Sequence, residues 1–243
     1  MLTSYGLKDV GRVRSINQDY FFISEKPVGN LPNLFMVADG MGGHKAGDLA
    51  SEYTVSMIQE AVSKSMQTNP FQILKGAIQY ANQRLLEKAR ESLDYTGMGT
   101  TLVIATIDEE RHLAYVVNVG DSRLYKVGDS MEQITVDHSL VEEMVHLGEI
   151  TREAARNHPD KHIITRAVGV SERVEPDYFD TTLEKGESLL ICSDGLTNML
   201  EDSRILQIMS RGKSPKEKVQ ELVLAANRSG GRDNIAVVVI EQE

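Results

Sequence analysis

Leu34-Phe35-Met36-Val37-Ala38-Asp39-Gly40 is apolar on both faces of an extended chain, then stops at an acid and a glycine. A strand with one wet face alternates apolar and polar residues, whereas one covered on both sides does not. The segment 235–240, from Ile235 to Ile240, has the same character. Such strands require sheets whose outer faces are roofed by helices.

Upstream of this stretch, 3–8 and 20–23 read as strands, with a turn at Asp9-Val10-Gly11 after the first. Two amphipathic helices follow it. In the first, Ala46, Ala50, Tyr53, Thr54, Met57, Ile58, Ala61 and Val62 recur at helical spacing. The second opens at Asn69-Pro70, with Asn69 as cap and Gln72 where a capping-box partner belongs; Ile73, Leu74, Ala77, Ile78, Ala81 and Leu85 form its buried face. Further strands are expected at 100–107, 113–119, 124–127, 133–136, 176–183 and 188–192. Two helices precede the last strand, the second announced by Ser214, Pro215 and Glu217. The segment 137–170 differs. It holds four of the six histidines (His138, His146, His158 and His162), short helical pieces with Ser139 and Glu142 as a capping box, and few apolar runs. It reads as an insertion on the surface of a sheet. Strands joined by short turns, and helices in adjacent pairs, argue against repeated βαβ winding. They predict an α+β fold of antiparallel sheets with helix pairs packed outside.

A length of 243 residues allows one large domain or two small ones. With no low-complexity linker, charge block or repeat to divide it, residues 1–243 are expected to form a single domain. There is no run of about 18 apolar residues to span a membrane, and the N-terminus lacks the basic-then-apolar pattern of a secretory signal. The single cysteine, Cys192, excludes an intrachain disulfide and fits a reducing, cytoplasmic location. It lies in the apolar run 189–192 with no His or Lys nearby in sequence, and so reads as a core residue rather than a nucleophile. The formal net charge of -10 disfavours nucleic acid as a partner. Such a surplus serves solubility, or else some of the acids are clustered around bound cations.

The placement of the acids favours the second reading. Three times an apolar strand runs into aspartate beside glycine: Ala38-Asp39-Gly40, Val119-Gly120-Asp121 and Ser193-Asp194-Gly195. Asp233, in Gly230-Gly231-Arg232-Asp233-Asn234, precedes the last strand, and Asp19 precedes the strand at 20–23. Taken singly, Asp-Gly after a strand is a turn signal. As a set at one sheet edge, the acids would repel one another unless cations held them. With no Cys or His at ligand spacing, hard oxygen donors select Mg²⁺ or Mn²⁺. Two such ions can polarise a water and clamp an in-line displacement at phosphorus. Arg14, five residues before Asp19, has the guanidinium fork that suits phosphate oxygens. The glycine-rich stretch 39–47 fails both Gly-x-Gly-x-x-Gly and the P-loop, because Lys45 and Asp48-Leu49 stand where those motifs need other residues.

Six motifs in order resemble the metal-dependent, type-2C serine/threonine protein phosphatases in their compact bacterial form. They are Arg14-Ser15-Ile16-Asn17-Gln18-Asp19, Val37-Ala38-Asp39-Gly40-Met41-Gly42-Gly43, Gly97-Met98-Gly99-Thr100-Thr101, Val119-Gly120-Asp121-Ser122-Arg123, Ser193-Asp194-Gly195-Leu196 and Gly231-Arg232-Asp233-Asn234. The resemblance implies a four-layer α/β/β/α sandwich of two antiparallel sheets flanked by helix pairs, with 137–170 as a flap. It implies two Mn²⁺ or Mg²⁺ ions contacted by Asp39, which bridges them, and by Asp233. Gly40 would offer its carbonyl, Asp194 a further carboxylate, and Asp19 a contact through water. Asp121 with Asp194 resembles a third metal site, and Arg14 the phosphate-binding arginine. Animal members carry a histidine directly after Asp-Gly as the proposed general acid; here that position is Met41. Water on the third metal, His44 and His162 are the candidates that remain.

The expected activity is hydrolysis of phosphoserine and phosphothreonine in proteins without a phosphoenzyme, opposing a bacterial Ser/Thr kinase. Two alternatives are an enzyme of the same chemistry acting on small phosphate esters, and a non-catalytic regulator that keeps the fold. The second of these is disfavoured because all five aspartates are intact.

Overall fold

The computed structural model describes residues 1–42 and 46–242. In chain order the elements are β1 (Leu2–Asp9), β2 (Asp19–Ser24), β3 (Leu34–Met41), α1 (Gly47–Lys64), α2 (Pro70–Ala89), β4 (Gly99–Thr100), β5 (Leu102–Asp108), β6 (Leu113–Val119), β7 (Arg123–Val127) and β8 (Met131–Gln133). They continue with α3 (Leu140–His146), α4 (Arg152–Arg156), β9 (Asp177–Thr182), β10 (Ser188–Cys192), α5 (Asp194–Thr197), α6 (Asp202–Met209), α7 (Pro215–Arg228) and β11 (Ile235–Gln242).

The strands form two antiparallel sheets, as expected. One has the order β1-β11-β10-β7-β8; the other runs β2-β3-β5-β6-β9, with β4 beside β3. The period-two alternation of a strand sorts their side chains into layers. Phe35, Val37, Val103 and Val116 of the second sheet meet Leu189, Ile191, Ala236 and Val238 of the first in a core between the sheets. The alternate residues Leu34, Met36, Leu102 and Ile104 face outward and are covered by Ile58, Val62, Ile73 and Ile78 of α1 and α2. On the far side, Leu190, Val237 and Val239 are covered by Ile205, Ile208, Val219 and Leu222 of α6 and α7. The result is the α/β/β/α sandwich, and the doubly apolar run at 34–38 is explained by having a core on each side.

Capping follows the sequence signals. Asn69 accepts from the Gln72 backbone at the start of α2, and Ser214 and Glu217 form a complete capping box on α7.

Three expectations need correction. The strand beginning at Leu34 does not stop at Ala38; it runs to Met41, because β4 pairs with Gly40 and Met41. The strand expected at 133–136 is instead Met131–Gln133. Beyond Gln133 the pairing is taken over by a side chain, as the Leu124 amide donates to Thr135 Oγ1. Asp194 is the first residue of the short helix α5 rather than the end of a strand. Segment 137–170 carries α3 and α4 on the outside, but His138, Ser139, Ala167 and Val168 at its two ends are buried.

Candidate metal centre

Strand parity brings the first two acids together. In β3, Phe35 and Val37 point between the sheets, and Asp39 lies two residues further along the same face. Phe21 and Ile23 of β2 pack against the same core, and Asp19 continues their row. Asp19 and Asp39 are direct partners across the ladder. The other sheet supplies Asp194 at the start of α5 and Asp233 in the loop entering β11, while Asp121 comes from the turn after β6. Asp19 is only 1% exposed; the other four are half-buried.

Electrostatics record the convergence. Burial first, then the charges of Asp19, Asp194, Asp121 and Asp233, hold the Asp39 carboxyl well above the usual carboxylate range. Burial, joined by Asp194 and Asp233 and opposed by a hydrogen bond from Ser193, pushes Asp19 up to about 7. Burial and then Asp233 push Asp194 up to about 6. Burial, then Asp194 and Asp137, hold Asp121 well above its ordinary value. Asp39 thus feels all four of the other acids. Arg14 donates to Asp233 Oδ2 at 2.9 Å, with its side chain 51% exposed.

The frame around these groups is tied by hydrogen bonds. Thr101 Oγ1 accepts the Asp39 amide at 3.0 Å, and the Asp39 carbonyl accepts Thr101 N–H and Thr100 Oγ1, each at 2.9 Å. Ser193 Oγ donates to Asp19 Oδ2 at 2.7 Å and accepts the Ala236 amide. The glycines beside Asp39 and Asp194 serve close approach rather than a turn. A Cβ on Gly40 would lie 1.8 Å from the Gly47 carbonyl oxygen, and one on Gly195 equally close to that of Asn234.

The donor set fits divalent metal. Asp19 Oδ1 and Asp194 Oδ1 are buried without a hydrogen-bond partner among the described residues. A buried, unneutralised carboxylate oxygen is costly, and several facing each other more so. No three acids among the described residues already close on a common point. The acids line a basin, which suits ions that keep water in their shell, as Mg²⁺ does. Asp121 and Asp194 also line a cavity of about 480 Å³ that runs beneath α3 and α4 to α5 and α6. Asp39 stands outside that cavity.

A family model described as protein phosphatase 2C matches residues 11–228. The chain is a member of the protein phosphatase 2C family. It is 39% identical over 239 residues to the serine/threonine phosphatase stp of Listeria innocua, which spans 96% of this chain and 93% of that protein. The structure of the S. agalactiae serine/threonine phosphatase superposes with a TM-score of 0.92 at 37% identity, covering 100% of both chains. The catalytic domain of PstP, in complex with 2 manganese ions, gives a TM-score of 0.86 at 31% identity over 99% of this chain and 97% of that one.

In this phosphatase 2C chain several organising residues escaped the sequence reading. Asn234 is 4% exposed. Its Oδ1 accepts the Gln18 amide, and its Nδ2 donates to the carbonyls of Val10 and Ile16. It therefore shapes the loop that presents Arg14. Asparagine beside the expected ligand Asp233 was the available signal. Met41 replaces the histidine of animal members; a Cβ on Gly99 would meet Met41 Cε and Val170 Cγ2, each at 2.8 Å, so an apolar wall stands there. His44 lies outside the described residues. His162 is exposed and does not line the cavity.

Proposed function

We propose that this protein hydrolyses phosphoserine and phosphothreonine on proteins by direct attack of water, with two Mn²⁺ or Mg²⁺ ions at the aspartate basin and a third near Asp121. The observation that carries this reading is Asp39, whose buried carboxyl feels four other acids from both sheets. When bound, the ions supply water activation and charge neutralisation on the phosphoryl oxygens. Asp39 and Asp233 would hold the central pair, with the Gly40 carbonyl and Asp194 adding oxygen donors and Asp19 acting through water. Asp121 with Asp194 would hold the third.

Arg14 would grip the phosphoryl oxygens. Half exposed and now paired with Asp233, it can rotate its fork to an incoming dianion. Cys192 and Ser193, the nucleophiles next to Asp194, give a covalent phosphoenzyme no support. Burial pushes the Cys192 thiol up to about 12, and Ser193 Oγ is buried and committed to Asp19.

The chain is read as a single catalytic domain over 1–243, with 137–170 as a flap at its mouth. Its substrates would be phosphoproteins, including a Ser/Thr kinase. No helix among the described residues is long and apolar enough to cross a membrane. The acidic balance speaks against nucleic acid, and the free thiol fits a cytoplasmic setting.

The test is phosphate release from phosphothreonine peptides, nucleotides and sugar phosphates, with Mn²⁺ and with chelator. Metal-dependent release favouring the peptides is expected. Preference for the small esters would move the substrate class. Full activity under chelator would end the metal-assisted reading, and no activity on any substrate would favour a regulatory role.

A further inference from the structure

His138 is 5% exposed and sits where segment 137–170 leaves the sheet. Its ring bonds in two directions. The Gly120 amide donates to Nδ1 at 3.1 Å, and Nε2 lies 3.0 Å from Asp177 Oδ2. Its backbone N–H also donates to the Gly120 carbonyl at 2.9 Å. Gly120 immediately precedes Asp121, with φ at +109°. Asn118 Nδ2 adds a bond to the same carbonyl at 3.1 Å.

These contacts fix the tautomer. Because Nδ1 accepts from an amide, it carries the lone pair, and Nε2–H donates to Asp177; Arg166 Nη1, 3.3 Å from the same Nε2, turns its hydrogens to Asp177 and the Glu175 carbonyl instead. Asp177 is held in turn by Arg166, whose Nη1 donates to Oδ1 at 2.9 Å. Burial, opposed by the Asp177 hydrogen bond, lowers the His138 pKa, the direction this neutral arrangement needs. On the other side a Cβ at Gly120 would lie 2.6 Å from Thr101 Cβ, so the turn cannot move toward Thr101. Thr101 is also the residue whose side chain holds the Asp39 amide.

We propose that His138 is a positioning residue: through the Gly120 amide it sets the turn that aims Asp121 into the metal basin, and Asp177 with Arg166 sets His138. The chain of contacts joins the root of the flap segment to Asp121. It rests on the reading of Asp121 as a metal ligand. Displacing a ligand by about 1 Å is enough to cost on the order of a hundredfold in rate.

The test compares His138→Asn with His138→Gln. Asparagine places an accepting oxygen where Nδ1 lies, so it can still receive the Gly120 amide. Glutamine reaches the Nε2 position and can donate to Asp177, leaving the Gly120 amide without its acceptor. In metal-free protein, Gly120 amide hydrogen exchange is expected to stay slow in wild type and His138→Asn, and to accelerate about tenfold or more in His138→Gln. With Mn²⁺, kcat on a phosphothreonine peptide should fall about tenfold or more in His138→Gln, with KM within about twofold, and be rescued in His138→Asn. Equal loss in both variants would reduce His138 to core packing and overturn the proposal, as would a protected Gly120 amide in His138→Gln. If exchange separates the variants while even wild type releases no phosphate, the positioning claim stands and the proposed activity falls.

Discussion

Asp19 and Asp39 are paired face to face across the β2–β3 ladder, and the charge of Asp19 helps to raise the Asp39 pKa. Like charges directly opposite in an antiparallel pair destabilise a sheet. The hydrogen bonds from Ser193 to Asp19 and from Thr101 to the Asp39 backbone hold this unfavourable pair in place. A fold that keeps such a pair gives up stability at a functional site.

Asp39→Asn should therefore separate stability from activity. Turnover of phosphothreonine peptide should drop by about three orders of magnitude or more, because the charge at the centre of the basin is gone. In chelator the same variant should melt about 2–4 °C higher for each kcal/mol of repulsion relieved. Melting curves and single-turnover assays check both. Near-normal turnover would remove Asp39 from the centre.

Arg14→Ala should act on phosphate capture. Losing a charge-assisted hydrogen bond costs about 1.5–3 kcal/mol, so KM should rise about tenfold or more while kcat falls less. Steady-state kinetics on one phosphopeptide suffice. An unchanged KM would take Arg14 out of the site.

Asp121→Ala should cripple turnover while two Mn²⁺ ions remain bound, as counted by equilibrium dialysis. Loss of all metal would move Asp121 into the central cluster.

The metal-free protein should lose stability as pH rises from about 4 to about 7. Asp19 and Asp194 are pushed up to about 7 and about 6, and Asp39 and Asp121 are also raised. Between its ordinary and raised pKa each of these carboxyls binds more protons folded than unfolded, so the slope of stability with pH is negative. His138, with its lowered pKa, pulls the other way, as one group against four. Metal binding requires the deprotonated carboxylates, so the Tm gained on adding Mn²⁺ should grow across this window. Melting at pH 5, 6 and 7.5 with chelator and with Mn²⁺ tests it; a gain independent of pH would contradict it.

Much of this was legible in the residues because both strand burial and the acids leave local marks. The doubly apolar run at 34–38 implied a core on each side, and the apolar faces of α1 and α2 met it on one side as the spacing required, with the facing sheet on the other. The family motifs already group Asp39, Asp194 and Asp233. The misses have physical causes. Strand β3 outran its apolar run because β4 pairs with Gly40 and Met41, a contact between residues about sixty apart. Asp-Gly looked like a turn, yet Gly40 and Gly195 are glycine because another backbone passes too close for a Cβ. Asn234 and His138 bond to distant backbone; beyond the place of Asn234 next to Asp233, no local pattern announces those partners.

The proposed chemistry needs these aspartates to hold divalent ions. A crystal grown with Mn²⁺, with anomalous scattering recorded at the manganese edge, tests it most directly. Anomalous peaks bounded by Asp39, Asp233 and Asp194 are expected, with a further one beside Asp121. A basin with no anomalous density at full metal saturation would contradict it.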